Sequence, residues 1–182
     1  MALVPTEDVL AARRKWRYRG DERPPFAQDP KAGQESVWDY PRPPRISADH
    51  RRVRVVAAGC VVAESNGALR VLETASPPTF YVPAADVDAK SMRRASDITH
   101  CEWKGIAGTY DVAGVGDAAW TYVETYPEYA SLAGYFAFYP AKLHCTVDGE
   151  AVVAQPGGYY GGWVTAEIVG PFKTGDPGTA WW

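Results

Sequence analysis

The sequence predicts a mainly β fold of small antiparallel sheets, with few short helices and an N-terminal arm. Three observations lead there. Gly and Pro together supply 32 of 182 residues, with 17 and 15 each, so turns are frequent. Aromatic residues are abundant, with seven Trp and eleven Tyr, and these suit a pleated, half-buried surface. Short apolar runs recur between turn signals, with alternation at a period of two.

Taken in chain order, residues 5–18 predict one short helix. Thr6 is suited to the N-cap, Glu7 and Asp8 to the first turn, and Arg13, Arg14 and Lys15 to the last. Residues 20–45 are rich in Pro, Arg and Asp and have no period, which reads as an extended arm. Val37, Trp38 and Tyr40 interrupt that stretch as an apolar cluster that docks on the body. The expected division is therefore an N-terminal helix and Pro/Arg-rich arm over 1–50, and a β domain over 51–182.

From Arg51 the texture changes. Val53, Val55 and Ala57 alternate with Arg52 and Arg54, as in a half-buried strand. Gly59 permits a turn into Cys60–Glu64, and Ser65-Asn66-Gly67 predicts a hairpin with Ala68–Thr74 as its return strand. Thr79–Val82 is a further strand, and Ala84–Met92 a helical turn or two. Ile98–Trp103 and Ile106–Asp111 flank Lys104-Gly105 as a hairpin. Ala118–Glu124 and Gly134–Tyr139 are aromatic strands. Leu143–Val147 and Glu150–Val153 flank the favoured Asp148-Gly149 turn, and Val164–Val169 is the last strand.

Composition narrows the function classes. The net charge of −3 is uneven. Residues 1–54 carry twelve Lys/Arg against eight Asp/Glu, and the rest carry seven against fourteen. An acidic body argues against nucleic-acid binding, which needs a basic face. The basic head reads as a solvated tail or as an arm packed on the acidic body. Cys60, Cys101 and Cys145 are three and unpaired in spacing, which disfavours a disulfide framework. No stretch approaches the ~20 apolar residues of a membrane-spanning helix, and no signal-peptide core is present. These observations point to a cytoplasmic protein without a membrane partner.

Several segments resemble one known family. They are Val37-Trp38-Asp39-Tyr40-Pro41-Arg42-Pro43-Pro44, Arg70-Val71-Leu72-Glu73-Thr74 with Pro77-Pro78, and Cys101-Glu102-Trp103-Lys104-Gly105. Ala137-Phe138-Tyr139, Val147-Asp148-Gly149-Glu150, Tyr160-Gly161-Gly162-Trp163-Val164-Thr165 and Gly170-Pro171-Phe172-Lys173 follow in order. Together they resemble domain-of-unknown-function family 427, a family also labelled nucleotidyltransferase-like, over roughly Val37 to Lys173. The resemblance implies a β-tent (Mss4-like) fold, shared with B-type methionine sulfoxide reductases and the thalidomide-binding domain of cereblon. Many β-tent proteins hold structural zinc on two Cys-x-x-Cys pairs. This sequence has none, so neither a metal nor any other cofactor is expected.

The nucleotidyltransferase label finds little in the residues. Asp86-Val87-Asp88 alternates suitably for Mg²⁺, but it follows a Pro and opens a helical turn, where acidic residues belong for dipole reasons. Gly157-Gly158 and Gly161-Gly162 enclose bulky tyrosines and precede no Lys-Ser/Thr, unlike a phosphate loop.

The candidate site residues follow from polar groups placed among aromatics. Arg70 can clamp a carboxylate or phosphate, and Glu73 can act as a base if desolvated, although strand alternation starts them on opposite faces. In His100-Cys101-Glu102-Trp103-Lys104, alternation puts His100, Glu102 and Lys104 on one face and Cys101 and Trp103 on the other. Cys101 is then a small core hydrophobe, or a thiol awaiting a cation. His50 and His144 stand alone. Tyr81, Tyr139, Trp103, Trp120 and Trp163 either line an apolar pocket with polar tips or fill a β core.

Three readings of function result. One is a small-molecule-binding domain with ligand contacts from Arg70, Tyr81, Cys101, Trp103, Tyr139 and Trp163. Another is a metal-independent enzyme with Glu73 or Glu102 as acid/base and Arg70 and Lys104 as electrostatic stabilisers. The third is a partner-binding domain. A homodimer through the N-terminal arm is a further expectation.

Overall fold

In the computed structural model, which describes residues 3–182, the chain is mainly β, as expected. It opens with α1 (Glu7–Arg14), capped by Thr6, whose hydroxyl accepts from the Val9 N–H at 3.4 Å. The strands are β1 (Glu35–Ser36), β2 (Arg45–Asp49), β3 (Val53–Ala57), β4 (Cys60–Ser65), β5 (Ala68–Leu72), β6 (Thr79–Pro83), β7 (Met92–Cys101) and β8 (Gly105–Val112). They continue with β9 (Val115–Thr125), β10 (Tyr135–Phe138), β11 (His144–Val147), β12 (Glu150–Ala151), β13 (Val153–Ala154), β14 (Trp163–Val164) and β15 (Ile168–Val169). The helical turns expected over Ala84–Met92 are two 3₁₀ turns, Ala84–Asp86 and Ala89–Ser91.

A seven-stranded antiparallel sheet runs β2-β5-β6-β10-β9-β8-β7, and a four-stranded one runs β12-β11-β3-β4. The two-stranded pairs β13-β14 (antiparallel) and β1-β15 (parallel) complete the set. The β3 burial pattern alternates as its valines predict. Tight turns close β3–β4 at Ala58-Gly59 and β11–β12 at Asp148-Gly149, with both residues of each turn at positive φ.

One expected hairpin is absent. Ser65-Asn66-Gly67 links β4 to β5, but β4 pairs with β3 while β5 pairs with β2 and β6. Neither Asn66 nor Gly67 adopts positive φ, and the Ser65 hydroxyl accepts from the Gly67 N–H at 2.9 Å. The turn hands the chain from one sheet to the other.

The large sheet is covered on both faces. One face packs on the small sheet through Val53, Val55, Val62, Phe80, Val82, Phe138, Cys145 and Trp163. The other carries Val71, Tyr81, Trp103, Tyr122 and Tyr126 beneath α1, whose Val9 joins that cluster. The arm lies on its own chain. Val37 and Trp38 are fully buried with Leu72 and Ile168 beneath them, and Arg45–Asp49, placed in the arm by composition, is the edge strand β2. The surplus of basic residues at the N-terminus is met by acidic partners, including Arg42–Glu73, Arg51–Glu167 and Arg13–Glu128. Among the described residues no helix is long and apolar enough to cross a membrane.

Candidate functional site

A cavity of about 240 Å³ opens on the α1 side of the large sheet. Its walls come from alternation within the strands. On β6, Phe80 points to the intersheet core, so Tyr81 points the other way; on β9, Trp120 and Tyr122 do the same. Tyr81 meets Trp120 edge-on at 6.1 Å and Tyr122 nearly parallel at 6.2 Å, while Trp120 packs 4.5 Å from Tyr139. Gly161 presses on this wall: a Cβ there would lie 2.3 Å from the Trp120 indole, so only glycine leaves the ring in place.

The polar end is built around Glu73, just past the end of β5. Arg42 donates to its Oε1 through Nε and Nη2, at 3.2 and 3.0 Å. The other Arg42 donors go to main-chain oxygens of Tyr18, Trp182 and Thr74, so this fully buried guanidinium ties the arm, the C-terminal segment and the residues after β5 together. Lys173 Nζ stands 3.5 Å and Lys104 Nζ 3.8 Å from the same carboxylate. Both distances exceed an ordinary hydrogen bond. Burial opposes ionisation of Glu73, but Lys173, Lys104 and Arg42 outweigh it and hold the carboxyl down at about 2. Burial lowers Lys173 below the usual lysine range. It acts the same way on Lys104, but the nearby Cys101, Glu73, Tyr81 and Tyr129 groups prevail and raise that ammonium. The Tyr81 phenol is pushed up to about 12, chiefly by burial.

Lys173 is fixed by its backbone, whose N–H donates to Ala75 O and whose carbonyl accepts from Gln155 Nε2. Its ammonium lies 4.1 Å from the centre of the Tyr160 ring and 4.7 Å from Trp16. Lys104 is fixed by the β7–β8 turn. Gly105 follows it at φ +126, and a Cβ there would sit 2.2 Å from Glu124 O. The end of α1 and the segment after it clamp the same turn, with Arg13 Nε donating to Glu102 O at 2.7 Å and Trp16 Nε1 to Glu102 Oε1 at 2.6 Å.

The cavity gathers Glu73, Glu102, Lys104, Tyr81, Cys101, Trp103 and Tyr139 from the residues singled out in the sequence. Alternation had separated Cys101 and Trp103 from Glu102 and Lys104. It fails because β7 ends at Cys101 and residues 102–104 form the turn, where a period of two no longer applies. Arg70 and Trp163 lie elsewhere. Arg70 points to the opposite face, 3.2 Å from both Glu35 and Asp49. Trp163 is sealed between the sheets against Phe80, and its indole N–H donates to Phe138 O. Arg42 and Lys173 were missed as site residues. In the sequence their motifs, Pro41-Arg42-Pro43 and Phe172-Lys173, carry the family resemblance and no local signal of a site.

Two buried donors in the cavity wall lack any partner, Trp103 Nε1 and Ser76 Oγ. A carboxylate held as low as Glu73 is a poor general base near neutral pH, and the Glu102 carboxylate is engaged by Trp16. Among the described residues, no three His, Cys, Asp or Glu side chains converge as metal ligands.

No curated protein matches this chain. The family described as Domain of unknown function (DUF427) matches residues 45–151, which carry β2 to β12 and most of the cavity wall, and the chain belongs to that family.

Proposed function

We propose that this protein is a small-molecule-binding domain whose ligand occupies the aromatic-walled cavity beside Glu73. One observation carries the reading: a cavity of about 240 Å³ places buried Lys104, Lys173, Ser76 and Trp103 among Tyr81, Trp120, Tyr122 and Tyr139. Concave apolar walls with a few convergent polar groups are the usual form of a ligand site. Buried polar atoms without partners are rare in folded proteins, and a ligand that satisfies them gains what their desolvation cost.

The enzyme reading with Glu73 as base draws no support from a carboxylate neutralised by three cations. The partner-binding reading draws none from an arm whose Trp38 is fully buried in its own chain.

A ¹⁵N-detected screen of compact aromatic compounds tests the proposal. Binders are expected to shift the indole N–H signals of Trp103 and Trp120 while leaving that of Trp163, sealed between the sheets, in place. Binders that shift Trp163 or exposed Trp181 and spare Trp103 would overturn it.

A further inference from the structure

The donors and acceptors of the cavity are unequal in number. Arg42, Lys104 and Lys173 bring three positive charges to Glu73, and the second carboxylate of the cavity wall, Glu102, is engaged by Trp16 Nε1, so the cations stay in excess by one. Arg42 has all its donors engaged, but the two ammonium groups stand beyond ordinary hydrogen-bond length from Glu73. Trp103 Nε1 and Ser76 Oγ, both buried, have no partner at all. An indole N–H and an ammonium can only donate. The unfilled demand is for an acceptor-rich, negatively charged group.

Size and wall chemistry narrow the rest of the molecule. A dry cavity of about 150 Å³ takes one benzene ring, whereas drug-sized ligands need about 300 Å³ or more. At about 240 Å³ the space beside Glu73 suits one ring with a small substituent. Tyr81, Trp120 and Tyr139 offer ring faces and edges for stacking.

We propose that the cavity selects a compact organic acid, a carboxylate carried on a single flat ring, with the carboxylate against Lys104, Lys173, Trp103 Nε1–H and the Ser76 hydroxyl. This rests on the reading that the cavity binds a small molecule, and it adds the charge and the size of the ligand. Glu73 then acts as the fixed counter-charge that keeps the lysines in place while leaving part of their charge for the ligand. Removing either lysine should cost affinity for the acid and little for its neutral analogue.

Calorimetric titration with benzoate, benzyl alcohol, inorganic phosphate and ATP·Mg²⁺ tests the proposal. Benzoate is expected to bind at least about tenfold tighter than benzyl alcohol, a difference that charge-assisted hydrogen bonds readily supply. Lys104→Met should erase that preference and leave benzyl alcohol within about twofold, and Trp103→Phe should weaken benzoate severalfold. Equal binding of benzoate and benzyl alcohol would overturn the charge selection while leaving the small-molecule reading intact. Tighter binding of phosphate or ATP·Mg²⁺ than of benzoate would overturn the ring. If no probe binds and no indole signal moves, this inference and the reading beneath it fall together. Should Lys104→Met fail to fold, the comparison of benzoate with benzyl alcohol on the native chain decides alone.

Discussion

Glu73 shows how one buried carboxylate organises its surroundings. Its two oxygens face Arg42, Lys104 and Lys173, and removing them leaves three cations in low dielectric without a counter-charge. Glu73→Gln is expected to cost roughly 3–5 kcal/mol, as when one partner of a buried ion pair is lost. Urea denaturation checks this, and a loss below about 1 kcal/mol, the level of an exposed pair, would refute the buried network. The pH dependence has a definite sign. The folded-state value of about 2 lies below the ordinary 4.5, so the carboxylate's contribution is full above 4.5 and drains as pH falls toward 2. Acid titration of the native protein should show this loss between those values, and Glu73→Gln should lack that part of the slope.

At the scale of elements, the β7–β8 turn is where the site is made. Its three residues present Glu102 to α1 and Trp103 and Lys104 to the cavity, a placement that requires Gly105 at φ +126 against Glu124 O. Gly105→Ala is expected to cost about 1–3 kcal/mol in backbone strain and to displace Lys104, seen as a lower melting temperature together with weaker benzoate binding. The Ser65-Asn66-Gly67 link behaves differently. Asn66 sits at negative φ in a sheet-to-sheet crossing, so Asn66→Ala should stay within ~0.5 kcal/mol of the native chain. In a type I′ turn, which needs positive φ at Asn, the same change would cost more.

At the scale of the molecule, the large sheet has two working faces. One seals the core against the small sheet; the other holds the cavity beneath α1. The arm acts as a brace on that second assembly. Trp38 packs among Tyr18, Phe26 and Trp182, and its indole N–H donates to Pro171 O at 3.1 Å, two residues before Lys173. Trp38→Ala is expected to cost about 3–5 kcal/mol. Denaturant midpoints check this, and a surface-like loss under about 0.5 kcal/mol would show the arm to be dispensable.

Local chemistry was enough for the mainly β class, the α1 cap at Thr6, the alternation in β3 and the Asp148-Gly149 turn, because each depends on neighbours a few residues apart. It also singled out Glu73, Lys104, Tyr81, Trp103 and Tyr139, as polar groups set among aromatics. It could not decide which polar groups meet. Arg42 and Glu73 are 31 positions apart, and Lys173 stands a further hundred on, so only the folded sheet and the arm laid across it bring their charges together. The same long-range packing turned Arg70 toward Glu35 and Asp49 and shut Trp163 between the sheets. A side chain's face follows from its strand, but what that face meets is set by contacts between segments far apart in the chain.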